Sequence, residues 1–246
     1  MSSTSETGLA KMVGNFNDLI AFTIGWGSKY VPSQKALEVA NLQTVYQQAM
    51  VVLKDVKTLK STNDLAVNKR QLIFEPVKKM ATRVLNALAS AEVDKKIIAD
   101  AKTINRKIQG AKAPKPAPAP GENGEAPEQS AKTISAAQLS FDSLQDNFEK
   151  LVELVKQEPK YKPNEKELQT AELDIFLATV MSTNKSVVDT LVPLSNKRIE
   201  RDSILYDEPG GLVPLALKVK TYAKSAFTVS SPQYKQVSGI KFKNRK

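Results

Sequence analysis

Most protein chemistry near neutral pH relies on groups that exchange a proton there or bind a soft metal. This 246-residue chain has neither histidine nor cysteine. That removes the commonest general base, the commonest transition-metal ligand, and every thiolate nucleophile, disulfide or cysteine-held zinc. Three stretches remain that could do chemistry. Ser182-Thr183-Asn184-Lys185 fits the S-x-x-K pattern, in which a lysine deprotonates a serine. No S-D-N or K-T-G partner accompanies it, and it falls inside a helical seam, so it reads as a polar helix surface. Glu165, Glu167, Glu172 and Asp174 form an acidic group. Glu165 and Glu167 are two residues apart and point in different directions on a helix, which suits a solvated first turn where negative charge is favoured. Asp207-Glu208-Pro209-Gly210-Gly211 puts glycines before a helix, as phosphate loops do. Its two acids repel an anion and no G-K-[ST] follows, so it reads as helix punctuation. The expectation is no catalytic residue, no metal site and no cofactor.

The cations are more suggestive. The net charge is +10, and residues 209–246 carry 8 Lys/Arg and no Asp/Glu, whereas 136–208 carry 9 against 14. Lys218, Lys220, Lys224, Lys235, Lys241, Lys243 and Arg245 alternate with Tyr222, Phe227, Tyr234 and Phe242. Cations hold phosphates and aromatic rings can stack on single-stranded bases. A second basic group, with Lys78, Lys79 and Arg83, lacks aromatics. Against base stacking, Val213, Leu215, Val219, Tyr222 and Phe227 belong to an ordinary amphipathic stripe whose lysines form its wet face.

These residues must be positioned by helices. Aromatics are only 6% of the chain, so the core is mostly aliphatic and suits helix-on-helix packing. Apolar residues from Leu9 to Ile24 recur at helical spacing, and Gly25-Trp26-Gly27 ends that helix. The lone Trp26 is expected to close a small core. Ser33 is a plausible N-cap for a long helix from Gln34 to Lys60, whose seam is Leu42, Val45, Ala49, Val52, Val56 and Leu59. Ser61-Thr62-Asn63-Asp64 is expected to break it and cap a further helix, which Pro76 then ends near Phe74. Helices from Val77 to about Ala91 and from Glu92 to Ile108 follow, the last stopped by Gly110.

Gly110 to Ser135 is a different kind of sequence. Five prolines lie between Pro114 and Pro127 among Ala, Gly and Glu. They remove backbone donors and fix φ, which favours a stiff, extended spacer. The two sides of this stretch resemble each other. Lys29-Tyr30-Val31-Pro32 matches Lys160-Tyr161-Lys162-Pro163 at an offset of 131, as Leu37 matches Leu168 and Leu42 matches Leu173. Asn15-Phe16 matches Asn147-Phe148, and Glu75-Pro76 matches Glu208-Pro209, after which the second copy inserts Gly210-Gly211.

The sequence therefore predicts an all-α protein made of two tandem, internally duplicated helical bundles of four to five helices. The bundles are expected at 9–109 and 136–246, joined by a flexible Pro/Ala/Gly-rich linker at 110–135 that can be cut without unfolding either half. No basic leader precedes an apolar run and no apolar stretch reaches membrane-spanning length, so the expectation is a soluble, cytoplasmic protein. The expected role is non-enzymatic: protein interaction, self-association or assembly, with no small-molecule substrate. The alternative is a nucleic-acid-associated protein that holds the phosphate backbone through the basic ends of both repeats.

Overall fold

The structure is a computed structural model that describes residues 4–110 and 139–243. All regular structure among these residues is helical, with no strand. The linker expected at 110–135 lies outside the described residues except for Gly110. In chain order the helices are α1 (Thr4–Gly25), α2 (Val39–Phe74), α3 (Val77–Ser90) and α4 (Lys95–Gln109), then α5 (Phe141–Lys156), α6 (Thr170–Tyr206), α7 (Leu212–Phe227) and α8 (Pro232–Ser238). Single 3-10 turns at Gly27–Lys29, Lys35–Leu37 and Lys166–Leu168 lie in the connections.

Local chemistry sets most of these boundaries. Asp94 caps α4, its carboxylate accepting from the Lys96 N–H at 2.7 Å. Gly110 closes the same helix in the left-handed region at φ 77°, where a side chain would be strained. Ser140 and Ser231 cap α5 and α8 through bonds of 3.1 Å from the Ser143 and Tyr234 N–H groups, and Pro232 occupies the first turn of α8.

The break expected at Ser61–Asp64 does not occur, and α2 runs unbroken for 36 residues. The polar run contains neither Gly nor Pro, and the helix satisfies its side chains. Thr62 donates back to the Thr58 carbonyl at 3.1 Å, and the buried Asn63 donates to the Thr190 hydroxyl at 3.0 Å. Two helix starts also come later than expected. A 3-10 turn at Lys35–Leu37 precedes α2, so neither Ser33 nor Gln34 opens it. Glu165 and Glu167 stand at the matching turn before α6 rather than in its first turn.

The compact units divide the chain differently from the sequence expectation. The first comprises Met1–Asn63 with Thr190–Lys246, and the second is Asp64–Asp189. Each draws residues from both sides of the 110–135 stretch. The first has a core of Phe16, Leu19, Leu42, Leu205, Leu212 and Val219, all buried. Here Trp26 packs edge-on against Phe227, centroids 5.0 Å apart, and donates its indole N–H to Gln236 Oε1 at 3.1 Å. It closes the core, as expected. The second unit is built on Val77, Val84, Leu88, Phe148, Leu151 and Leu173. Here α4 packs on α3 and α5, and Phe74 meets Phe141 edge-on at 4.9 Å. Full burial of side chains of this size contributes about 1.5–3 kcal/mol each, which makes these interlocked aliphatic faces the main source of stability in both units.

Candidate functional site

The basic residues singled out in the sequence meet different fates. In the first unit Lys220 is turned inward and donates to the carbonyls of Ser238 and Ile240, both at 2.9 Å. Burial lowers its pKa below the ordinary lysine value. Lys218 reaches Glu208 at 3.8 Å and the Pro209 carbonyl at 3.5 Å. Lys224 and Lys235 are exposed. Lys241 and Lys243 follow α8 and line a cleft of about 520 Å³ with Lys11, Met12, Asn15 and Tyr206. Asn15 fixes this strap by donating to the Lys241 carbonyl at 2.9 Å, and Phe242 meets Phe16 edge-on at 6.5 Å. Arg245 lies outside the described residues. In the second unit the Lys78 carbonyl accepts from Gln109 at 2.8 Å, Lys79 is exposed, and Arg83 forms an ion pair with Glu167.

The interleaved aromatics are structural. Tyr222, Phe227, Tyr234 and Phe242 all pack against the core of the first unit, which leaves no row of rings for stacked bases. The S-x-x-K run is likewise engaged: Ser182 donates to the Thr179 carbonyl at 3.1 Å, and Lys185 pairs with Asp189 at 2.7 Å. Glu172 and Asp174 pair with Lys166 and Lys156 at 3.5 and 3.1 Å. Among the described residues no three acidic groups gather as a cation site.

A pair of clefts, one in each unit, shares a construction that the sequence did not flag as a site. In the first unit Pro32, Ser33, Gln34 and Leu37 face Lys218, Thr221, Tyr222 and Ser225 of α7 across about 290 Å³. In the second unit Pro163, Asn164, Glu165 and Leu168 face Arg83, Asn86, Ala87 and Ser90 of α3 across about 910 Å³. The loop walls correspond at an offset of 131 and the helix walls at 135. The i, i+3, i+4, i+7 spacing presents one helix face in both cases. The buried faces of the two helices also match at 135, with Val77, Ala81, Val84 and Leu88 answering to Leu212, Ala216, Val219 and Ala223.

Each loop wall is held by the same bond. Tyr30 donates to the Leu37 carbonyl at 2.8 Å, and Tyr161 donates to the Leu168 carbonyl at 2.9 Å. Burial raises the pKa of both phenols, Tyr161 to about 12 with a smaller push from Glu165, and Tyr30 further still. Neither ionises near neutral pH, so both act as fixed donors.

The walls differ in two respects. In the first unit the Tyr222 ring stands edge-on to Tyr30 at 5.2 Å, and its oxygen accepts from the Val31 N–H at 3.1 Å. The matching residue in the second unit is Ala87, and that cleft is three times larger. Its rim is also more highly charged: Arg83 pairs with Glu167, and Lys160 donates to the Glu92 carbonyl at 2.5 Å. Both clefts combine polar side chains, at least one cation and the apolar side chains of a proline and a leucine, Pro32 and Leu37 or Pro163 and Leu168.

No protein-family model, curated protein or solved structure matches this chain. No helix among the described residues is long and apolar enough to cross a membrane.

Proposed function

We propose that this protein is a non-enzymatic interaction module, arisen by internal duplication, that docks partner segments in a pair of related clefts. The observation that carries this reading is the matched construction of the clefts, Pro32 to Leu37 against α7 and Pro163 to Leu168 against α3. Two copies at 9–109 and 136–246, joined by the 110–135 spacer, account for it. Each cleft then takes its loop wall from one copy and its helix wall from the other. Chains without His or Cys recognise partners readily through backbone donors, guanidinium groups and apolar floors.

The test uses the full-length chain, tagged in its own cells. Ser90→Trp and Ser225→Trp fill the two clefts from their rims, while Lys57→Glu changes an exposed charge elsewhere on α2. A partner held by the parent and by Lys57→Glu but lost from one cleft-filling variant supports the reading. A set of partners unchanged by both tryptophans contradicts it.

A second reading follows from the cleft of Lys11, Lys241 and Lys243, whose lining contains no carboxylate. Three cations around one opening favour a polyanion held by its phosphates rather than by stacked bases. Retention of RNA or DNA at about 50 mM salt, lost in a Lys11→Glu/Lys241→Glu variant, supports this reading. No retention at that salt removes it.

A further inference from the structure

We propose that the cleft bounded by Lys11, Lys241 and Lys243 in the first unit binds a diphosphate group, free or carried on a small molecule. The inference rests on the phosphate reading of this cleft above and narrows its ligand from a strand to a compact anion. The cations come from two separate elements. Lys11 stands on the face of α1 that runs from Gly8 to Asn15, and Lys241 and Lys243 stand on the strap that follows α8. The strap alternates: Phe242 packs on the core, edge-on to Phe16 at 6.5 Å, while its two neighbours line the cleft. Its backbone is held at three carbonyls. Asn15 donates to that of Lys241, and Lys220 donates to those of Ser238 and Ile240, all at 2.9 Å. The two lysines thus project from a fixed backbone, so little chain ordering is left for a ligand to impose.

Charge and size select the ligand. Among the described residues no carboxylate lines the cleft. Asp207, next to Tyr206, accepts from the Ser203 hydroxyl at 2.6 Å instead. A phosphate group carries about 1.5 to 2 negative charges near neutral pH, so two linked groups match three ammonium ions where one falls short. The cationic stretch is short. The Cα atoms of Lys241 and Lys243 are at most about 7 Å apart, and the α1 wall from Gly8 to Asn15 is about 10 Å long. Asp18, exposed two turns beyond Lys11 on the same face of α1, ends the positive stretch. That disfavours a long strand and favours a ligand whose charges lie close together. A cleft of about 520 Å³, with Leu9 and Met12 in its wall, also has room for an organic group on the diphosphate.

The test is calorimetric titration of the full chain in metal-free buffer at constant ionic strength, with inorganic pyrophosphate, ADP, AMP and inorganic phosphate as probes. The expected result is one saturable site for a diphosphate, with AMP and phosphate weaker by about ten-fold or more, the loss of one charge-assisted hydrogen bond. Tighter binding of ADP than of pyrophosphate supports a nucleoside diphosphate as the source, and the reverse order supports the free anion. Lys11→Gln and Lys241→Gln/Lys243→Gln should each weaken binding by about ten-fold or more. Lys224→Gln/Lys235→Gln removes exposed cations of α7 and α8 outside the cleft and should leave binding unchanged. No saturable binding of either diphosphate, equal affinity for phosphate, binding unchanged by the cleft variants, or an equal loss in the Lys224→Gln/Lys235→Gln control would each overturn the proposal. If RNA or DNA is retained, and lost in Lys11→Glu/Lys241→Glu, while neither diphosphate binds, the phosphate reading of the cleft stands and only the small-molecule assignment falls.

Discussion

The Tyr161 hydroxyl donates to the main-chain carbonyl of Leu168 at 2.9 Å, seven residues on, and so closes the loop wall of the second cleft. Tyr161→Phe leaves that buried carbonyl without its donor, at a cost of about 1–3 kcal/mol. The expected result in urea unfolding is a lowered midpoint with an unchanged slope. Tyr30→Phe should behave alike, since its bond to Leu37 at 2.8 Å has the same geometry.

The same phenols set an alkaline limit. The Tyr161 pKa is raised to about 12 in the fold, against about 10 for an unfolded tyrosine. The unfolded chain therefore loses this proton first. Stability is unaffected below about pH 10 and falls as pH rises from there toward about 12. Phenolate absorbance should show Tyr30 and Tyr161 ionising only above the ordinary tyrosine range, together with loss of helicity. Tyr161→Phe should flatten the decline in stability over that window.

Glycines 210 and 211 adjoin but should respond in opposite ways. A Cβ on Gly211 would lie 2.8 Å from the Asp207 carbonyl oxygen and 2.9 Å from the Asp207 nitrogen. These are backbone atoms and cannot step aside. At Gly210 a Cβ meets nothing within 4 Å. Gly211→Ala is expected to cost about 1–3 kcal/mol by overpacking the turn into α7. Gly210→Ala should leave the melting temperature within a degree or two of the parent.

Asn184 ties three elements of the second unit together. Its amide donates to Asp142 at 2.7 Å and Gln145 at 3.1 Å, and its oxygen accepts from Arg70 at 3.3 Å. The Arg70 guanidinium also lies 4.0 Å over the Phe141 ring. Asn184→Ala strands these partners in a part-buried setting and should cost about 2–3 kcal/mol. Lys185→Ala, which removes an exposed i,i+4 pair with Asp189, should cost under about 0.5 kcal/mol. The contrast separates a structural network from the S-x-x-K surface in the same run.

Much of this fold was legible because its signals are local. Gly25 ends α1, Phe74 before Glu75-Pro76 ends α2, and Gly110 ends α4, each by backbone chemistry within a few residues. The continuity of α2 through Ser61–Asp64 was not legible, because a partner far along the chain, Thr190, satisfies Asn63. The clefts were hidden for a related reason. Pro163 and Leu168 could be matched to Pro32 and Leu37 by eye, but nothing local tells that Arg83 and Ala87 face them. Lys11 stands apart from the basic runs in the sequence, and only the return of Lys241 and Lys243 gives it company. The inward turn of Lys220 depends on carbonyls at Ser238 and Ile240, which no pattern of charge foretells.

Both clefts take one wall from before Gly110 and the other from after Leu139. The direct measurement inserts a protease site between residues 111 and 138, cuts the purified chain, and follows the two fragments by size exclusion and circular dichroism before and after separation in denaturant. The expected result is that the fragments elute together after cutting, lose most of their cooperative melting when separated, and regain it when mixed. Two fragments that part in native buffer, each a monomer with its own cooperative transition, would contradict the account.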